Sequence, residues 1–226
     1  MPLHLIRHAK LEYLLNDDQS NGWESVAERF IALRSSIGAA TVRTWSQALP
    51  ASAAVLDLGC GFGVPITELL VAEGHRVFGV DASPTLLGAL QRRLPAVRVA
   101  CELVEESRFF DQKFDGVVAI GLIFLLTPEV QRQVIRRVAT ALKPQGRFLF
   151  TAPIEATSWD DLLTGRQSVS LGEGGYRLAL EEAGLVIARE YDDEGGNHYY
   201  DAVNAQPIPL RKIPATCYKN NCSRCK

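Results

Sequence analysis

The sequence predicts an α/β fold built on a parallel sheet with helices on both faces. Three observations carry that expectation. Short apolar strands alternate with helical stretches from residue 55 to residue 151. The two most apolar strands, 55–58 and 116–120, are nearly continuous apolar runs, as strands buried on both faces must be. Two of the intervening helices open on a Ser-Pro or Thr-Pro pair, a capping hydroxyl followed by proline in the first turn.

Taken in order, residues 1–22 read as an irregular leader ending in the turn-like Asn16-Asp17-Asp18-Gln19-Ser20-Asn21-Gly22. From Trp23 to about Leu49, apolar residues recur near the 3.6 period, with a break expected at Gly38 and a stop at Pro50. Val55-Leu56-Asp57-Leu58 is a strand, and Pro65 to Glu73 a helix stopped by Gly74. Arg76 to Val80 is a strand, and the helix opened by Ser83-Pro84 runs to Leu94. Val97 to Cys101 and Phe114 to Ile120 are strands, Thr127-Pro128 opens a helix to Leu142, Lys143 to Gly146 is a turn, and Arg147 to Thr151 is a strand. Residues 153–172 are polar and loop-like. Gly175 to Ala183 is a helix stopped by Gly184. Leu185 to Glu190 and His198 to Val203 flank a short acidic loop, the pattern of an antiparallel hairpin at the sheet edge. The domain is therefore drawn as 23–206, followed by a Pro-punctuated tail, 207–226, read as extended or disordered.

Composition narrows the function classes. The 226 residues are 47% apolar and 22% charged, a globular balance. Residues 1–201 hold 19 basic and 26 acidic side chains, a net −7, whereas five basic residues and no acid follow Asp201. A body at −7 is a poor nonspecific nucleic-acid binder, so no nucleic-acid partner is expected from it. The longest apolar run, Val117 to Leu126, spans 10 residues, half the roughly 20 that a membrane helix requires. The first residues have no apolar core with a small-residue cleavage site, and the five cysteines form no disulfide framework; a cytoplasmic location is expected.

The chemistry concentrates after the first strand. In Asp57-Leu58-Gly59-Cys60-Gly61-Phe62-Gly63, glycines allow a sharp turn and close approach of a ligand, and the helix behind them offers free N–H groups. A plain strand-to-helix turn would use the same glycines. Asp81 ends the second strand 24 residues after Asp57, where an acid accepts hydrogen bonds from ribose hydroxyls; capping the next helix is its other reading. The third glycine of the dinucleotide fingerprint is missing, since Val64 or Ile66 stands there, which demotes NAD.

VLDLGCGFG, then VFGVDAS 22 residues on, FDGVVAIGLIFLL and ALKPQGRFLFTAP together resemble the class I S-adenosylmethionine-dependent methyltransferases across about residues 50–153. The resemblance implies a single Rossmann-like doubly wound sheet of about seven strands, mostly parallel, with the last strand antiparallel. It implies S-adenosylmethionine as cofactor and S-adenosylhomocysteine as product. Asp57 and the backbone of Gly59, Cys60 and Gly61 would face the methionine moiety. Asp81 would hold the ribose, with Ala82 beside the adenine, and Glu102-Leu103 would meet the adenine amine. Ile120 and Gly121 would flank the sulfonium. Trp23 and Arg34 would close over the cofactor, Arg34 either pairing with its carboxylate or staying on the surface.

The acceptor is expected to be a small molecule with an oxygen, nitrogen or carbon nucleophile. Ala119-Ile120-Gly121-Leu122 stands where methyltransferases of adenine or glutamine amides carry an Asn/Asp-Pro-Pro-Tyr/Phe block, which argues against those substrates. Two segments are candidates to face the acceptor. One is 153–171, with Glu155, Trp159, Asp160, Arg166, Ser168 and Ser170. The other is the strand carrying His198 and Tyr200, which share a face by alternation; His198 is the candidate base, with Tyr200 beside it. Two further functions stay open: an RNA or protein methyltransferase steered by the basic tail, and a non-catalytic cofactor-binding subunit. Cys217, Cys222 and Cys225 in the tail are one ligand short of a structural zinc site, so no metal is assigned.

Overall fold

The computed structural model describes residues 18–205. The expectations for the first 17 residues, and for the tail with its three cysteines, lie outside the described residues.

The predicted long N-terminal helix is three pieces. A single 3-10 turn, Glu24–Val26, leads into α1 (Ala27–Leu33), and α2 (Ala39–Ser46) follows after a break. The break is centred on Gly38, which opens α2 at φ +84°. The alternating core then follows closely on the sequence pattern: β1 (Ala54–Leu58), α3 (Ile66–Ala72), β2 (Arg76–Asp81), α4 (Pro84–Arg93), β3 (Arg98–Cys101), β4 (Phe114–Ala119), α5 (Pro128–Ala141) and β5 (Leu142–Thr151). The Ser83 and Thr127 hydroxyls cap α4 and α5, accepting from Leu86 N and Val130 N. β5 starts before the expected turn: Leu142 already pairs with Phe114. Residues 143–146 are an irregularity with Gln145 at φ +64°, and the regular ladder resumes at Gly116 and Arg147.

Residues 153–172 correct the loop expectation. β6 (Ala156–Asp160) and β7 (Gln167–Leu171) form a separate two-stranded antiparallel ribbon. Its buried side are serines: Ser168 and Ser170 are inaccessible, so no apolar alternation announced a strand. The ribbon turns through Asp161, whose Oδ1 accepts from Leu163 N, Thr164 N and the Thr164 hydroxyl. Then come α6 (Gly172–Glu182), β8 (Leu185–Asp192) and β9 (His198–Asn204).

The main sheet has seven strands in the order β3-β2-β1-β4-β5-β9-β8. β9 runs antiparallel to both β5 and β8, so it alone opposes the common direction. Side chains alternate between two cores, as the period of two requires. Leu56, Leu58, Val117, Phe148, Phe150 and Tyr200 face α5 and α6. Val55, Val77, Val118, Leu149 and Tyr199 face α2 and α3, where Trp45 lies fully buried. β1 is buried along its whole length. It lies beside β4 at the point where strand order reverses, which opens a crevice at the carboxyl ends of the strands.

Candidate functional site

The first turn of the site is stitched to β2. Gly59 N and Cys60 N both donate to Val80 O, at 2.8 and 3.2 Å, which curls the chain back over the sheet edge. Gly59 and Gly61 sit at φ +67° and +53°, in the left-handed region that side chains resist. Asp81 organises the same turn: its Oδ2 accepts from Gly61 N at 2.8 Å and its Oδ1 from Ser83 N at 2.9 Å. Burial pushes the Asp81 carboxyl above its ordinary range, against the pull of these N–H groups. Asp57 is more deeply buried, 2% exposed, and its Oδ2 accepts from the Thr67 hydroxyl at 2.6 Å. Desolvation drives Asp57 up to about 7, with the nearby Asp81 charge adding and Thr67 and Arg34 opposing. The Cys60 thiol is likewise pushed far up by burial, which leaves it unreactive.

A cavity of about 580 Å³ opens over this turn, within the ~300–1,000 Å³ of small-molecule sites. All twelve residues that the sequence assigned to a cofactor line it. Asp57, Gly59, Cys60 and Gly61 come from the β1 turn, Asp81 and Ala82 from the end of β2, and Glu102 and Leu103 from the end of β3. Ile120 and Gly121 follow β4, and Trp23 and Arg34 come from the N-terminal segment.

That segment is tied down. Glu24 accepts from the Ser83 and Thr85 hydroxyls and from Thr85 N, at the start of α4. Burial raises its carboxyl, but these hydrogen bonds outweigh it and hold Glu24 below its ordinary range. Arg34 donates through Nε to Val64 O at 3.2 Å and lies 5.7 Å from the Phe30 ring centroid. Trp23 packs edge-on against Phe30, and its Nε1 is buried with no partner among the described residues. An unsatisfied buried donor in a cavity wall, beside an arginine and a cradle of positive-φ glycines, fits a ligand with acceptor atoms and a carboxylate.

The candidate base is placed elsewhere. Neither His198 nor Tyr200 lines the cavity. The two do share a face, with ring centroids 4.8 Å apart, but it is the face toward α6: Tyr200 is fully buried against Phe150 and Tyr176. His198 Nδ1 lies 2.9 Å from Asp192 Oδ1 on the edge hairpin. Alternation assigns residues to a common face without saying which face looks into a cavity. Of the 153–171 candidates, Glu155, Trp159, Asp160, Arg166, Ser168 and Ser170 are all absent from the lining. Ser170 donates to Pro153 O inside the ribbon. Trp159 supports the wall from behind, its ring 5.4 Å from that of Phe124.

The residues that do reach the cavity from these regions are Asp161 and Asn197, with Leu122 and Phe124 to Leu126 after β4. Their signal was faint. The apolar stretch reads as the continuation of a strand, and Asp161 and Asn197 read as ordinary loop residues. Asn197 is positioned by Asp193, which accepts from Asn197 N and Nδ2, Gly195 N and the Tyr199 hydroxyl. Burial raises the Asp193 carboxyl, but those donors prevail and hold it below its ordinary range.

Comparison with known proteins agrees with this geometry. The family described as "Methyltransferase domain" matches residues 55–146. An uncharacterised methyltransferase of Synechocystis sp. is 29% identical over 154 residues, 63% of this chain and 71% of that protein. Among solved structures, the Burkholderia thailandensis 1,6-didemethyltoxoflavin-N1-methyltransferase, with S-adenosylhomocysteine bound, superposes with a TM-score of 0.60. It is 19% identical and covers 90% of this chain and 86% of its own. The magnesium protoporphyrin IX methyltransferase of Synechocystis, with S-adenosylmethionine bound, gives 0.57 at 22% identity, covering 73% and 77%.

Proposed function

Given that this chain is a class I S-adenosylmethionine-dependent methyltransferase, we propose that its acceptor is a small molecule and that the twelve cavity residues hold the cofactor as the sequence suggests. The observation that carries the proposal is the gathering of those residues, from five separate segments, around one cavity. Asp81 would receive the ribose hydroxyls, for which each of its oxygens keeps a free lone pair beside the backbone bond it already accepts. Arg34 would pair with the cofactor carboxylate, and the unpartnered Trp23 N–H would find an acceptor there. The cofactor, when bound, supplies a methyl group already activated by its sulfonium charge. The chain's task is then chiefly alignment and exclusion of water. Ile120 and Gly121 follow β4 into the cavity lining, and the Gly121 N–H is pinned by the Thr151 hydroxyl at 2.7 Å. Leu122, Phe124, Leu125 and Leu126 make an apolar wall that keeps water from the reacting centre.

Thermal unfolding with S-adenosylmethionine, S-adenosylhomocysteine and NAD in separate runs tests this. A ligand at about 100 times its Kd adds roughly 2.7 kcal/mol, about 5–10 °C for a domain of this size. Both sulfur nucleosides are expected to raise Tm and NAD to leave it unchanged. Asp81→Ala is expected to weaken S-adenosylhomocysteine binding at least about tenfold, two charge-assisted hydrogen bonds being lost. An unaltered affinity in that variant would remove the ribose assignment.

A further inference from the structure

We propose that the methyl acceptor is an amine carried on an apolar body, and that Asp161 is the carboxylate that receives its nitrogen; this rests on the methyltransferase reading above. Charge in the cavity is one-sided. Its lining holds the carboxylates of Asp18, Asp81, Glu102, Glu105 and Asp161, with the partly neutral Asp57, against a single cation, Arg34, and no histidine or lysine among the described residues. Arg34 is engaged with Val64 O and assigned to the cofactor. An anionic acceptor would therefore enter a negative cavity with no cation among the described residues left to meet it. An alcohol or phenol would need its proton drawn off before attack, and no imidazole among the described residues stands in the lining to do so. An amine enters as its ammonium, matched to the negative lining, and gives up a proton to water far more readily than an aliphatic alcohol does.

Asp161 is set up to receive it. It lies beyond β5, on the opposite flank of the cavity from Asp81 and Glu102, at the turn of the β6–β7 ribbon. Oδ1 is taken up by Leu163 N at 3.0 Å, Thr164 N at 2.8 Å and the Thr164 hydroxyl at 2.9 Å, which fixes the carboxylate in place. Oδ2 accepts no hydrogen bond from the described residues, and Asp161 borders the cavity. Leu122, Phe124, Leu125 and Leu126 border the same cavity, and Trp159 backs Phe124. An N–H donor on an apolar skeleton satisfies both. In the transfer the nitrogen lone pair forms the N–C bond while the methyl C–S bond breaks, its electron pair passing to sulfur. Before this, the bound ammonium gives one proton to water beside Asp161, which frees the lone pair, and the methylated nitrogen leaves as a secondary ammonium.

The test is calorimetric titration of the full chain, saturated with S-adenosylhomocysteine, by three probes of one shape: 1-naphthylmethylamine, 1-naphthalenemethanol and 1-naphthoate. The amine is expected to bind at least about tenfold tighter than the alcohol, and naphthoate weakest. Asp161→Asn keeps the Oδ1 acceptor that holds the turn and removes the charge. It should cost the amine about tenfold while changing S-adenosylhomocysteine and alcohol affinity by less than about twofold. Naphthoate binding as tightly as the amine, an undiminished amine preference in Asp161→Asn, or no binding by any probe overturns the proposal. Failure of S-adenosylhomocysteine itself to bind the wild-type chain is a separate result, and it removes the underlying methyltransferase reading instead.

Discussion

Asp57 illustrates how one buried side chain ties stability to pH. Its folded-state value, about 7, stands above the ordinary 3.8, so between these limits the folded chain binds more protons at this site than the unfolded one. Stability contributed by the protonated carboxyl is complete at low pH and is lost as pH rises from about 4 to about 7. Asp57→Asn keeps an acceptor for the Thr67 hydroxyl and cannot ionise. Its stability relative to wild type should grow across that window, by up to about 4 kcal/mol at about 1.36 kcal/mol per pH unit. Urea unfolding of both proteins at pH 4.5, 6 and 7.5 measures it, and parallel curves would contradict the assignment. At this scale the sequence was readable where a residue type is demanded by backbone geometry, as at Gly59 and Gly61. It was unreadable at Asp161, because a loop aspartate making an Asx turn looks the same whether or not it borders a cavity.

Among the elements, α2 is fastened to the sheet by a buried polar knot. Trp45 Nε1 donates to Asp201 Oδ1 at 3.1 Å, and Arg147 pairs with both oxygens of Asp201, through Nε to Oδ1 at 3.2 Å and through Nη2 to Oδ2. Asp201 is fully buried. Burial raises its carboxyl, with Arg147 and Trp45 pulling the other way. Asp201→Ala leaves the guanidinium and the indole N–H without their partner, so it should cost about 3–5 kcal/mol, while Trp45→Ala pays mainly for a cavity of similar magnitude. Denaturant midpoints of Asp201→Ala below those of a surface control such as Glu182→Ala check the first figure; a loss under about 1 kcal/mol would mean the knot is solvated. Elements with a strong local signature, such as the Ser83-Pro84 and Thr127-Pro128 helices, were legible to within a residue or two. The β6–β7 ribbon was not, since its inward residues are the serines Ser168 and Ser170, the latter held by a hydrogen bond to Pro153 O and one from Gly172 N.

For the molecule as a whole, the cavity ties together segments far apart in the chain. The N-terminal segment, the β1 turn, the chain after β4, the ribbon turn and the β8–β9 loop all border it. A ligand that touches all of them should slow amide exchange in each at once. Hydrogen–deuterium exchange with S-adenosylhomocysteine is expected to protect residues 20–34, 57–66 and 120–126 together. Residues 107–113 border a second cleft and share no lining residue with the cavity, so they should stay unchanged. Protection confined to one segment would show that the walls act independently. Among the described residues no helix is long and apolar enough to cross a membrane.

The sequence by itself determined the alternation of strands and helices, the glycine turn and the acid at the end of β2; the remaining cofactor residues came from the resemblance to a family, and their gathering around one cavity is tertiary. The first three are local or nearly periodic features: a turn needs its glycines, a cap its hydroxyl, and a parallel strand its apolar run. Only the tertiary structure decided that β9 lends the cavity no residue: His198 and Tyr200 pack toward α6 and Tyr199 toward α2, while Asn197, one residue before the strand, reaches the cavity edge. It also decided that Asp161, and none of its polar neighbours from Glu155 to Ser170, borders the cavity. The physical reason is that strand alternation sets only relative parity, whereas the direction of a side chain toward a shared space depends on how distant elements pack against one another.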